Sequence, residues 1–189
     1  MKATQTKKNI IKQTNLIVQK YGGTSVGSPE RIQIVADRII KNLKTTKKLI
    51  VVVSAMGKTT DELVNLSKQV SDNPDHREMD ALISNGENIS AALLAMSLIH
   101  KKVNAISLTG PQAGVKTETL HTKAKILDID TNRIQEELNE HDVVIITGFQ
   151  GINAKNNVTT IGRGGSDTSA VALAAAMKCK TCEIYTDVD

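Results

Sequence analysis

The chain is predicted to be an α/β protein, a three-layer αβα sandwich around a mostly parallel central sheet. Two observations carry this expectation. Strongly apolar, β-branched runs, with residues 49–53 the clearest, read as strands buried on both faces. They alternate with stretches whose apolar residues recur every three or four positions, as in helices packed on a sheet. A chain of 189 residues is long enough for one well-cored domain.

In order along the chain, residues 16–19 form a short strand ending at Lys20. Ser28, Pro29 and Glu30 open a helix as cap, first-turn proline and first-turn acid. Ile32, Val35, Ala36, Ile39, Ile40 and Leu43 then make one apolar face. Residues 49–53 are a strand, and Thr60 and Asp61 begin a helix through Leu63, Leu66 and Val70. A loop at 71–76 contains Pro74; residues 79–99 are helical with an interruption at Asn85, Gly86 and Glu87. Residues 103–108 are a strand, and the polar, alternating stretch 114–130 reads as short antiparallel strands. A helix at 133–139, a strand at 143–146 and a short hairpin strand at 158–161 follow. Residues 166–178 form a helix capped by Ser166, and residues 183–187 form the last strand.

Composition narrows the function classes. No apolar run approaches the roughly 18 residues of a membrane span. The N-terminus lacks the apolar core of a secretory signal, so a cytoplasmic protein without a membrane partner is expected. The net charge of +4 is local: residues 1–15 carry Lys2, Lys7, Lys8 and Lys12 and no acid, which leaves 20 basic and 20 acidic residues elsewhere. Residues 1–15 are therefore expected to be a basic disordered tail, and residues 16–189 a single domain. With only Tyr21, Phe149 and Tyr185 aromatic, a base-stacking platform is not expected, nor a nucleic-acid partner. Cys179 and Cys182 have no second Cys/His pair at zinc-like spacing and read as structural thiols.

Four polar signatures carry the chemistry. They are Lys20-Tyr21-Gly22-Gly23-Thr24-Ser25, Ser54-Ala55-Met56-Gly57-Lys58-Thr59-Thr60, Asn85-Gly86-Glu87-Asn88-Ile89-Ser90, and Gly162-Arg163-Gly164-Gly165-Ser166-Asp167. Three follow an apolar run and open a helix, where free N–H groups and the helix dipole favour anions. Gly57-Lys58-Thr59 is not a P-loop, because Val52 stands where that motif needs glycine. Gly162-x-Gly164 is not a dinucleotide fingerprint, because Asp167 occupies the third glycine position. The protein-kinase motifs are absent. What remains is a lysine at a strand end beside two glycines, able to reach phosphate oxygens as a point charge.

These residues resemble aspartokinase, within the amino-acid-kinase superfamily. Residues 20–26, residues 53–63, Gly148-Phe149-Gln150-Gly151, residues 160–168 and residues 182–189 are similar to that family's successive motifs. Asn85 departs mildly from the family pattern, and Glu87 keeps it. The resemblance implies the amino-acid-kinase fold and transfer of the ATP γ-phosphate to the side-chain carboxylate of L-aspartate. That reaction opens lysine, threonine and methionine synthesis. ATP and L-aspartate are then the partners, with Mg2+ carried by the nucleotide and no metal held by the protein.

A carboxylate is already a nucleophile, so the reaction requires two anions to be brought together and their repulsion cancelled. On this resemblance Lys20 neutralises the transferring phosphoryl group, and Asp167 orients Lys20 or the substrate ammonium. Gly22, Gly23, Gly164 and Gly165 donate N–H groups to phosphate. Glu87 pairs with the α-ammonium, Arg163 holds a substrate carboxylate as a bidentate fork, and Ser54, Thr60 and Ser166 contact substrate. Tyr21, Thr186 and Asp187 belong to the nucleotide site.

The motif at residues 182–189 stops where the family continues into the rest of its nucleotide lobe and its ACT domains. The chain is accordingly expected to bind ATP poorly by itself, to be marginally stable, and to associate as a homodimer or with a C-terminal part. Two other readings stay open. One changes the acceptor to glutamate, acetylglutamate, carbamate or UMP. Glu87 favours a free amino acid there, since it would pair with an unblocked ammonium. The other is a non-catalytic amino-acid-binding or dimerisation module.

Overall fold

The computed structural model describes residues 16–186; the N-terminal basic tail and Asp187 lie outside the described residues. The chain begins with β1 (Ile17–Tyr21), α1 (Pro29–Leu43), β2 (Leu49–Val53), α2 (Thr59–Val70), α3 (His76–Ile83) and α4 (Asn85–His100). It continues through β3 (Ala105–Leu108), β4 (Val115–Thr117), β5 (Ile126–Ile129), α5 (Asn132–Glu140) and β6 (Val143–Thr147). It closes with β7 (Gln150–Ile152), β8 (Val158–Thr160), α6 (Gly165–Ala176) and β9 (Thr181–Tyr185).

The central sheet has the order β3-β6-β2-β1-β9 and is parallel throughout. Every residue of β2 and of β6 is buried, which is why both read as unbroken β-branched runs. One face of the sheet packs on α1 and α4, through Ile32, Val35, Ile39, Leu94 and Leu98. The other packs on α5 and α6, through Ile134, Leu138, Leu173 and Met177. These are the three expected layers. Burying each of these Leu or Ile side chains contributes about 1.5–3 kcal/mol. Antiparallel pairing is confined to a second, four-stranded sheet of order β5-β4-β7-β8, within which β4 and β7 run parallel.

Tertiary pairing moved several element boundaries. β1 continues through Lys20 to Tyr21 because it is held on both sides, Tyr21 lying opposite Val53 of β2 and Tyr185 of β9. β9 starts at Thr181, opposite Ile17, and ends at Tyr185, so Thr186 follows the strand rather than belonging to it. α6 is capped by Gly164 in the left-handed region (φ +74°), which puts Ser166 inside the first turn instead of at the cap. The expected interruption of the long helix falls at Ser84, between α3 and α4. Together α3 and α4 are long and apolar enough to cross a membrane by length and composition, but half of that apolar window is buried within the fold.

β2 and β6 are neighbours whose onward connections leave to opposite faces, β2 toward α4 and β6 toward α6. Such a switch point opens a crevice at the carboxyl ends of the strands, the usual ligand position in an open α/β sheet.

Candidate active site

A cleft of about 260 Å3 lies at that switch point. Lys20 reaches it from β1, Ser54, Ala55 and Gly57 from the segment joining β2 to α2, and Thr60 from the first turn of α2. Glu87 reaches it from α4, Phe149 from the turn after β6, and residues 162–167 from the loop before α6 and its first turn. Of the sequence-predicted residues, Lys20, Gly23, Ser54, Thr60, Glu87, Arg163, Gly164, Gly165, Ser166 and Asp167 line this one cleft. Tyr21, Gly22 and Thr186 do not.

The reasons are geometric. Tyr21 is buried and its ring stacks on Tyr185, with centroids 4.9 Å apart and planes 7° from parallel. Burial also pushes its phenol far above its usual range, against titration near neutrality. The Gly22 N–H donates to the Tyr185 carbonyl at 3.2 Å, and the Gly165 N–H to the Gly162 carbonyl at 3.0 Å. Two of the four amides expected to donate to phosphate, those of Gly22 and Gly165, are therefore committed inside the fold. Gly23 cannot carry a side chain, since a Cβ there would stand 2.7 Å from the Ala55 carbonyl oxygen.

Lys20 is 6% exposed near the carboxyl end of β1, between Val52 of β2 and Ile184 of β9. Its Nζ lies 2.7 Å from Asp167 Oδ1, an ion contact off the alignment of a good hydrogen bond. Asp167 is half-exposed, so the pair is partly screened, and Lys20 keeps donors for an incoming anion.

Glu87 is 3% exposed. Its Oε1 accepts from the Ala55 N–H at 3.2 Å, while buried Oε2 has no hydrogen-bond partner. Desolvation drives its carboxyl up to about 7, against the backbone hydrogen bonds that favour the charged form. A buried carboxylate with one unsatisfied oxygen, on a residue that lines a cleft, suits a cationic ligand. Tight packing of α4 holds it there: a Cβ on Gly86 would lie 2.8 Å from Ala55 Cβ, and Ser90 Oγ donates to the Ser54 carbonyl at 2.7 Å.

Arg163 sits opposite in character. It is exposed, makes no ion pair among the described residues, and stands between Gly162 and Gly164, both at positive φ (+80° and +74°). Just behind it Ser166 is buried, and a Cβ on Gly148 would come within 2.7 Å of Ser166 Oγ.

Four cleft-lining residues had no role assigned from sequence: Ala55, Gly57, Phe149 and Gly162. Phe149 is in the left-handed region (φ +66°), and its N–H donates to Ser169 Oγ at 3.1 Å. Its signal was the glycine-flanked Gly148-Phe149-Gln150-Gly151, which marks a sharp turn after a buried strand.

Residues 15–189 match the amino acid kinase family. The aspartokinase of Geobacillus stearothermophilus is 61% identical over 173 residues, 92% of this chain and 42% of that protein. Aspartokinase 2 of Bacillus subtilis is 54% identical over the same shares of each. The chain thus spans about two fifths of these relatives' length. Among solved structures, the aspartate kinase from Synechocystis has a TM-score of 0.79 at 54% identity, over 92% of this chain and 28% of that one. E. coli aspartokinase III, in complex with aspartate and ADP, has a TM-score of 0.80 at 24% identity, over 92% of this chain and 49% of that one, a likeness of fold. With a parallel sheet, helices on both faces and a cleft at the strand ends, the chain belongs to the amino acid kinase family.

Proposed function

We propose that this chain carries the phosphoacceptor site of an aspartate kinase, which transfers the γ-phosphoryl group of MgATP to the side-chain carboxylate of L-aspartate. The observation that carries the reading is the buried Glu87 carboxylate with its unpartnered Oε2 on a cleft that also presents Lys20 and Arg163. High identity to aspartokinases supports the same choice.

In this reading Glu87 takes the α-ammonium and Arg163 the α-carboxylate. Ser54, Thr60 and Ser166 hydrogen-bond the substrate, and the free side-chain carboxylate points toward Lys20. That carboxylate attacks the γ-phosphorus directly, ADP leaves with the former bridging oxygen, and no proton transfer is required. Lys20 offsets the repulsion between the two anions, held upright by Asp167. The amino end of α6 adds a favourable dipole and the Gly164 amide to the phosphate side. Among the described residues, Glu87 and Asp167 are the cleft's only carboxylates, and Asp167 is already paired with Lys20. This donor set suits Mg2+ brought in on the nucleotide phosphates rather than caged by protein. Glutamate is disfavoured by its extra methylene between fixed charges. Acetylglutamate and UMP are disfavoured because neither offers an ammonium to Glu87.

The test is hydroxamate formation from MgATP, hydroxylamine and either aspartate or glutamate, with calorimetric binding of both acids to the same preparation. Binding and hydroxamate with aspartate in clear preference to glutamate are expected. Equal or stronger binding of glutamate would overturn the assignment.

A further inference from the structure

Outside the cleft, the most heavily bonded buried charge among the described residues is Asp80, on α3. It is fully buried. Its Oδ1 accepts from Thr160 Oγ1, and both its oxygens accept from the Thr122 N–H, at 3.1 and 3.0 Å. His121 Nδ1 lies 2.7 Å from Oδ2. Among the described residues no lysine or arginine pairs with it, and it is held by hydrogen bonds from two other segments and by His121.

Those segments flank the cleft. Thr160 ends β8, three residues before Arg163. Thr122 is in the left-handed region (φ +67°), and its carbonyl oxygen lies 3.4 Å from where a Gly162 Cβ would stand. The Ala124 N–H closes the arrangement on the Thr160 carbonyl at 2.9 Å. On its other side Asp80 belongs to the helix that passes through Ser84 into α4 and Glu87, and the Ser84 carbonyl accepts from Gln150 Nε2 at 2.8 Å. Asp80 thus joins the backbone carrying Glu87 to the backbone carrying Arg163, without lining the cleft itself.

We propose that Asp80 is a positioning residue that fixes the span between Glu87 and Arg163, and so the joint grip on the acceptor's α-ammonium and α-carboxylate. This rests on the aspartate reading above. Two substituents of one carbon are held together, and in one hand, only while the two poles keep their separation, and a multiply bonded buried carboxylate resists its change. His121, Thr122 and Thr160 are the far side of the clamp.

Three variants of residues 1–189 test it: Asp80→Ala, Asp80→Asn and Thr160→Val. Amide hydrogen exchange is read in residues 118–125 and 160–166 without ligand, and calorimetry is run with L-aspartate and D-aspartate. Asp80→Ala is expected to exchange roughly tenfold faster in those two segments while α1 and β2 keep their protection. Its L-aspartate affinity should drop roughly tenfold, with a narrower preference over D-aspartate. Asp80→Asn, which keeps size and an acceptor oxygen, should recover much of both, and Thr160→Val should fall between. If Asp80→Ala loosens the whole chain, Thr160→Val decides: local loosening with narrowed preference supports the clamp, and unchanged values overturn it. Unchanged exchange in Asp80→Ala overturns the clamp itself. Absence of aspartate binding in the unsubstituted chain overturns the acceptor reading and the specificity role with it, while the exchange data still judge the clamp.

Discussion

The two charged poles of the cleft are built in opposite ways. Glu87 is buried in the side of α4, locked by close contacts at Gly86 and Ser90, with its charge opposed by desolvation. Arg163 is exposed on a short loop between two left-handed glycines, with no ion-pair partner among the described residues. A buried pole gives strength and selectivity, because its unsatisfied oxygen costs free energy until a cation arrives. An exposed pole works against water and salt, so it contributes less and tolerates more. Chemical specificity should therefore sit at Glu87 and adaptability at Arg163.

The largest effect should come from removing the buried charge. Glu87→Gln is expected to weaken aspartate by roughly 30-fold or more, as for a desolvated charge-assisted contact, with little change in nucleotide affinity. Equal losses for the two ligands in a titration of each would dissolve the contrast.

Next comes pH. With the free carboxyl near 7, aspartate binding should strengthen about tenfold from pH 6 to pH 8, since only ionised Glu87 receives an ammonium. Stability runs the other way. A folded-state value raised above the unfolded one means that the native chain holds the extra proton, so stability falls as pH rises from about 4.5 to about 7. In Glu87→Gln both trends should flatten, which calorimetry and thermal melts at several pH values would read.

The glycines of the second pole separate packing from backbone strain. Gly148→Ala should destabilise by about 1–3 kcal/mol, because its Cβ would meet buried Ser166 at 2.7 Å. Gly164→Ala meets no atom within 4 Å, so only its positive φ resists, at about 1 kcal/mol. Denaturant melts of the two variants would rank them. The smallest effect belongs to Arg163→Lys, which loses the planar fork but keeps the charge at an exposed site. A loss of only a few-fold in aspartate affinity is expected. A loss matching that of Glu87→Gln would show that exposure does not set the hierarchy.

The same contrast governs what could be read from sequence. β2 and β6 are buried on both faces, and α1 carries its cap and apolar stripe openly, so burial and periodicity were written in residue types. The cleft residues fell in glycine-, serine- and lysine-rich turns after strands, where side-chain type signals chemistry. What stayed hidden depended on partners distant in the chain. The end of β1 and the start of β9 follow from each other's register. The amides of Gly22 and Gly165 are consumed by contacts that no local pattern reports. Asp80 carried no sequence signal of its own within a stretch read simply as helix, because its partners lie 41, 42 and 80 residues away.

The most direct measurement compares L-aspartate with N-acetyl-L-aspartate, by calorimetry at pH 8, in the unsubstituted chain and in Glu87→Gln. The two ligands keep both carboxylates and differ in the ammonium. The unsubstituted chain is expected to prefer L-aspartate by at least roughly tenfold, and Glu87→Gln to bind the two nearly alike. A preference that survives Glu87→Gln undiminished would contradict the central claim that the buried Glu87 carboxylate receives the substrate's ammonium.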